Sequence, residues 1–148
     1  MGTNERRKAL TQNGKKLKNF DVLINSTKSY IVDFKGKKFS YSGAIYNNWE
    51  NWLPINHVTD LILWETEFNF KVSSLLVFIF KLSDSLEEQN FKDTYLYKGI
   101  CYGVVAIKPQ LYLKNSKPRA RGVINVSRSK FKEIVKPLSS FIPEIRYQ

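Results

Sequence analysis

The chain has 148 residues, 43% hydrophobic and 14% aromatic, enough for one packed domain and too apolar for a disordered tail or linker. Its longest apolar run, residues 75–80, falls well short of the ~18 residues a membrane helix needs, and no apolar leader core follows Met1, so a cytoplasmic protein is expected. One cysteine, Cys101, and one histidine, His57, exclude an intrachain disulfide and a Cys/His zinc site, while 24 Lys plus Arg against 13 Asp plus Glu leave a formal net charge of +11.

That excess points to a polyanionic partner, nucleic acid first. It is unevenly spread. Residues 1–38 carry a net +7 and residues 108–136 a net +8, with an acidic stretch between them. Two basic segments around an acidic middle predict two walls of a groove.

In chain order, residues 4–12 read as a short helix ended by Asn13-Gly14. Residues 20–25 and 29–35 read as two strands around a short turn. Gly36-Lys37-Lys38 starts a loop that runs to the aromatic knot Trp49-Glu50-Asn51-Trp52. Residues 56–68 form a helix with Val58, Leu61, Ile62 and Glu65 on one face, and residues 74–82 a strand buried on both faces, judged by the run Leu-Leu-Val-Phe-Ile-Phe. After a polar connection over 84–90 come strands 94–97 and 100–107, with Lys98-Gly99 between them. Residues 108–114 are a short helix or turn, 122–126 a short strand. Ser129 caps a last helix on which Phe131, Ile134, Val135 and Leu138 repeat at i, i+3, i+4, i+7, until Pro137 stops or kinks it. The order predicts one α/β or α+β domain around a mixed β-sheet flanked by helices.

The chemistry lies in Asp21 and in Asp33-Phe34-Lys35. If Ser26-Thr27-Lys28 is the turn, Asn25 pairs with Ser29, and counting back sets Asp21 opposite Asp33. Opposed side chains have Cβ atoms ~4.5–5.5 Å apart, so two carboxylates there repel unless a cation sits between them. Lys35 leaves the strand on the same face as Asp33. Two hard oxygen ligands beside an ammonium suit Mg²⁺ (or Mn²⁺) and a phosphate, with the lysine activating water.

An acid on one strand followed by acid-x-Lys on the next resembles the PD-(D/E)XK nuclease motif, with Phe20 where that motif usually has Pro. The anchors Lys18-Asn-Phe-Asp-Val-Leu-Ile, Ile31-Val-Asp-Phe-Lys-Gly-Lys-Lys-Phe39, Trp49-Glu-Asn-Trp52, Asp60 with Trp64-Glu65, Leu76-Val-Phe-Ile-Phe80 and Lys136-Pro-Leu-Ser139 are similar, in order, to the HYExAFE family of that superfamily. The resemblance implies a restriction-endonuclease-like core and a Mg²⁺-dependent endonuclease acting on DNA. Asp21 and Asp33 would be the metal ligands and Lys35 the third catalytic residue. It also implies an acid-bearing N-terminal helix, and the chain is expected to start after it, so that either the single domain over 1–148 is truncated at its start or this copy does without that first ligand. One such site cuts one strand, so a duplex cutter would act as a homodimer. The alternative is a non-catalytic nucleic-acid-binding module on the same fold. A third reading is an interaction domain whose basicity is incidental.

Candidate phosphate contacts are Lys37, Lys38, Arg119, Arg121, Arg128 and Lys130. Trp49, Trp52 and Trp64 are expected to pack the core, with base stacking as the alternative role. Glu50, Asp60, Glu65 and Glu67 read as a polar helix face, with a further metal ligand as the alternative, His57 as a helix-start residue rather than a general base, and Cys101 as a buried core thiol.

Overall fold

In the computed structural model, residues 17–40 and 48–147 are described. The expected helix over 4–12 lies outside them. Strand β1 (Val22–Ile24) pairs antiparallel with β2 (Tyr30–Lys38). A two-residue strand β3 (Leu53–Pro54) and helix α1 (Ile55–Glu67) then carry the chain to β4 (Ser73–Lys81), which runs parallel to β2. A one-turn helix α2 (Ser85–Glu88) leads to the hairpin β5 (Thr94–Tyr97) and β6 (Ile100–Ile107), with β6 antiparallel to β4. Helix α3 (Pro109–Asn115), strands β7 (Ser116–Pro118) and β8 (Val123–Val126), and helix α4 (Arg128–Ile134) follow. A last strand, β9 (Lys136–Pro137), pairs with β6. The main sheet has the order β1-β2-β4-β6-β5; β3, β8 and β7 form a separate small sheet. Among the described residues no helix is long and apolar enough to cross a membrane.

Strand periodicity sorts the core into two layers. Ile31, Leu76, Phe78, Phe80, Val105 and Ile107 face the helices, joined by Val58, Leu61 and Trp64 of α1, Tyr112 of α3 and Phe131 of α4. Tyr30, Val32, Leu75, Val77, Val104 and Ala106 face the other way, under Leu138 and Ile142. β4 is apolar over residues 75–80 because both of its faces are covered there. The β5–β6 turn is two residues, Lys98 (φ 50°) and Gly99 (φ 77°), the left-handed pair that matches strand twist in a tight hairpin.

Three expectations change. β2 does not give way to a loop at Gly36; it pairs with β4 as far as Lys38↔Lys81, because β4 keeps offering backbone partners. A Cβ at Gly36 would meet nothing within 4 Å, so the glycine breaks no strand. The last helix begins at Arg128 after Ser127 and ends at Ile134. Pro137 then lies in β9 on the β6 edge, and the chain crosses the sheet, so Leu138 joins the layer opposite Phe131. There Ser139 donates from both N and Oγ to buried Asp93, each at 2.9 Å. Cys101 is half-buried against the core rather than inside it.

Candidate active site

The β1–β2 register is Val22↔Val32, Leu23↔Ile31 and Ile24↔Tyr30. One step further sets Asp21 beside Asp33, the pairing that counting back from the turn gives. Asp21 N donates to Val32 O at 2.9 Å, and Asp21 Oδ2 accepts from Phe34 N at 2.7 Å. Alternation along β2 puts Asp33, Lys35 and Lys37 on the helix-facing side. Lys38, one residue on, projects to the opposite face and stands apart from them.

Asp33 is only 2% exposed, at the point where β2 leaves the core. Two ammonium groups serve it. Lys35 Nζ lies 2.9 Å from Oδ2, and Lys18 Nζ lies 3.1 Å from Oδ1 and 3.2 Å from Oδ2. The Lys18 backbone is clamped to α1: its N–H donates to Asp60 Oδ2 at 2.9 Å, and its carbonyl accepts from Trp64 Nε1 at 2.8 Å. His57, in the first turn of α1, sits with Nδ1 2.6 Å from Lys35 Nζ. Glu65, on the same helix, accepts from Ser74 N and Oγ and from Gln110 Nε2. Asp60 and Glu65 are thus ties between elements, not a solvated face.

These placements set the protonation states. Burial, with the positive charges of Lys35 and Lys18, lowers the His57 pKa to about 4, so the ring is neutral at pH 7 and accepts from the lysine. Burial is also the main cause lowering the Lys35 pKa, against the opposing pull of Asp33. The Asp21 carboxyl is raised by partial burial first and then by Asp33, while the Phe34 N–H holds it back. The donor set suits a hard cation. The Lys18 ammonium already straddles both oxygens of Asp33 and acts on Asp21 electrostatically. Among the described residues no three acidic, histidine or cysteine side chains come together. A divalent ion at Asp21 and Asp33 would therefore complete its shell with water and phosphate oxygens, as Mg²⁺ commonly does.

Further along β2 the basic segments meet. Lys37 Nζ donates to the Trp52 carbonyl at 2.8 Å and lies 3.5 Å from the centre of its indole ring. Its pKa is lowered to about 8 by burial and then by Lys35; Glu50 and Arg119 are close enough to contribute. Glu50 stands between Arg119 at 3.8 Å and Arg128 at 3.7 Å. The cleft they line with Asn125, Ser127 and Ser129 belongs to the small sheet. Trp52 is 42% exposed, unlike core residues Trp49 and Trp64. Arg121 sits exposed at the tip of the β7–β8 turn, and Lys130 is tied to Glu133 at 3.4 Å. Neither joins the cleft.

A buried amide ties the small sheet to its surroundings. Asn51 donates from Nδ2 to Trp49 O and Val126 O, and its Oδ1 accepts from Val126 N and from the Tyr112 hydroxyl. Sequence reasoning missed Lys18 and His57 as members of the site. Their only signals were a lysine three residues before Asp21 and a lone histidine on a helix facing the sheet.

No protein-family model, no curated protein and no solved structure matches this chain.

Proposed function

We propose that the protein is a Mg²⁺-dependent nuclease with a restriction-endonuclease-like core, related to the HYExAFE family and acting on DNA. One observation carries the reading: Asp21 and Asp33 adjoin on paired strands, with the Lys35 ammonium 2.9 Å from Asp33 on the same face. Asp21 and Asp33 would hold the metal, which neutralises charge developing on the scissile phosphate. Lys35 orients and polarises the attacking water. Neutral His57 and Asp33 fix the lysine from two sides. Lys37, Arg119 and Arg128 take neighbouring phosphates, which positions the strand without reading its bases. Cutting both strands of a duplex would need two copies of the chain.

The test is nicking of supercoiled DNA with Mg²⁺ or Mn²⁺. Asp33→Asn should lower cleavage by at least about 10²-fold, the scale of losing one group that stabilises transition-state charge. Lys35→Ala should act similarly, and DNA binding should survive both. Activity that persists in Asp33→Asn places the chemistry elsewhere. A second reading, a nucleic-acid-binding module without cleavage, is favoured by Lys18, whose ammonium takes both oxygens of Asp33. Binding with no cleavage, with or without residues added upstream of Met1, would establish it.

A further inference from the structure

Two carboxylates on directly opposed strand positions repel unless a cation serves them, and this protein sets an ammonium of its own on one of the two, Asp33. Lys18 reaches Asp33 from outside the hairpin, 15 residues away in sequence, and bonds to both carboxylate oxygens. Asp21 is raised by its partial burial and by Asp33, and the Lys18 charge is close enough to oppose that rise. The two lysines on Asp33 are not equivalent. Lys35 is 12% exposed and is held by Asp33 and by His57. Lys18 is 31% exposed, and its remaining hydrogen bond is to the Asn19 carbonyl. Its main chain is clamped to Trp64 and Asp60, so its ammonium can leave Asp33 by side-chain rotation alone.

We infer that the Lys18 ammonium is a tethered counter-ion occupying the cation position of the Asp21–Asp33 pair, and that a divalent metal binds there by displacing it. The displaced ammonium is then a free cation at the rim of the site. A nucleic-acid phosphate offers it a new partner and gives the metal further oxygens. Metal and phosphate therefore bind together better than either binds alone. The inference rests on the proposed metal-holding role of Asp21 and Asp33, and it adds Lys18 as the residue that makes loading depend on substrate.

The experiment is Mn²⁺ binding to the full chain, read by calorimetry and by the loss of the free-ion electron paramagnetic resonance signal. Wild type, Lys18→Met, Lys18→Gln and Asp33→Asn are compared, each checked for folding by circular dichroism. Lys18→Met and Lys18→Gln should bind Mn²⁺ at least about tenfold more tightly than wild type, the scale on which groups around a metal's ligands move its affinity. Adding a cleavage-resistant phosphorothioate oligonucleotide should tighten Mn²⁺ binding in wild type more than in either variant. Equal or weaker Mn²⁺ binding in folded Lys18 variants, with binding still lost in Asp33→Asn, overturns this inference and leaves the metal site standing. Mn²⁺ binding that is absent everywhere, or indifferent to Asp33→Asn, overturns both.

Discussion

Asp33 is 2% exposed and pairs with two lysines at 2.9 and 3.1 Å. Glu50, in the small-sheet cleft, has a side chain 27% exposed and faces two arginines at 3.8 and 3.7 Å. Both are one acid between two bases, yet they behave differently. Removing a partner from a buried pair leaves an uncompensated charge away from water, which is strongly destabilising. A surface pair contributes ~0–1 kcal/mol and is easily exchanged for another anion. On the proposed function, Lys35 keeps its place on Asp33 in the main-sheet cluster while Lys18 is exchangeable, and the cleft arginines would exchange Glu50 for a phosphate. Lys37 joins them, on the same strand face as Asp33 and within electrostatic range of Glu50 and Arg119.

The largest expected effect comes from detaching the second region. Asn51→Leu removes the side chain that serves Val126 and Trp49, leaving the Val126 N–H without that acceptor, while the Tyr112 hydroxyl keeps the Asn51 carbonyl. Stability should fall by about 3 kcal/mol, which at this size lowers Tm by roughly 6–12 °C. If Mn²⁺ binding at the Asp33 site survives in that variant below its Tm, the two regions are separable. If it is lost as well, they form one unit.

The charge comparison is sharpened by Arg119→Gln combined with Arg128→Gln. Each arginine that neutralises a phosphate adds about one unit to the salt slope. The double variant should therefore bind a random-sequence duplex with a slope of log K against log salt shallower by about 2, measured by fluorescence anisotropy. An unchanged slope would remove the cleft from the nucleic-acid path.

The smallest effect concerns His57. Its pKa is about 4 in the folded chain against an ordinary 6.5, so between those pH values the unfolded chain takes up a proton that the folded chain resists. Stability should fall as pH drops from 6.5 towards 4. In His57→Gln, which keeps an acceptor for Lys35, that fall should shrink by on the order of 1 kcal/mol, since the ring is only half-buried. Asp21 contributes a slope of opposite sign in both proteins, so the difference between them reports His57. Urea unfolding at pH 6.5 and pH 4.5 gives the comparison, and parallel curves would mean that His57 does not face the lysines in solution.

The strands at the centre of the molecule were legible because strand alternation and short turns are local. The Asp21–Asp33 pairing follows from a three-residue turn and a period of two. The β5–β6 hairpin follows from Lys98-Gly99, and β4 from its unbroken apolar run. Where β2 ends was not legible, since its last residues are extended by pairing with β4, a strand 35 residues later in the chain's order. Neither was the fate of Leu138, which keeps the helical period in sequence but is carried across the sheet once Lys136 and Pro137 pair with β6. Trp52 looks like its two neighbours in composition, and only the fold leaves it at the surface beside Lys37.

The sequence by itself determined two acids and a lysine on one face of a hairpin, because each position is set by residues a few steps away. Only the tertiary structure decided what surrounds them. Lys18 on Asp33, His57 on Lys35, Arg119 and Arg128 on Glu50, and Asn51 on Val126 join residues 15 to 78 positions apart. No local period marks such partners. They meet because the α1 crossover and the small sheet are packed against the same face of β2 and β4, and burying that shared apolar layer is what brings the charges together.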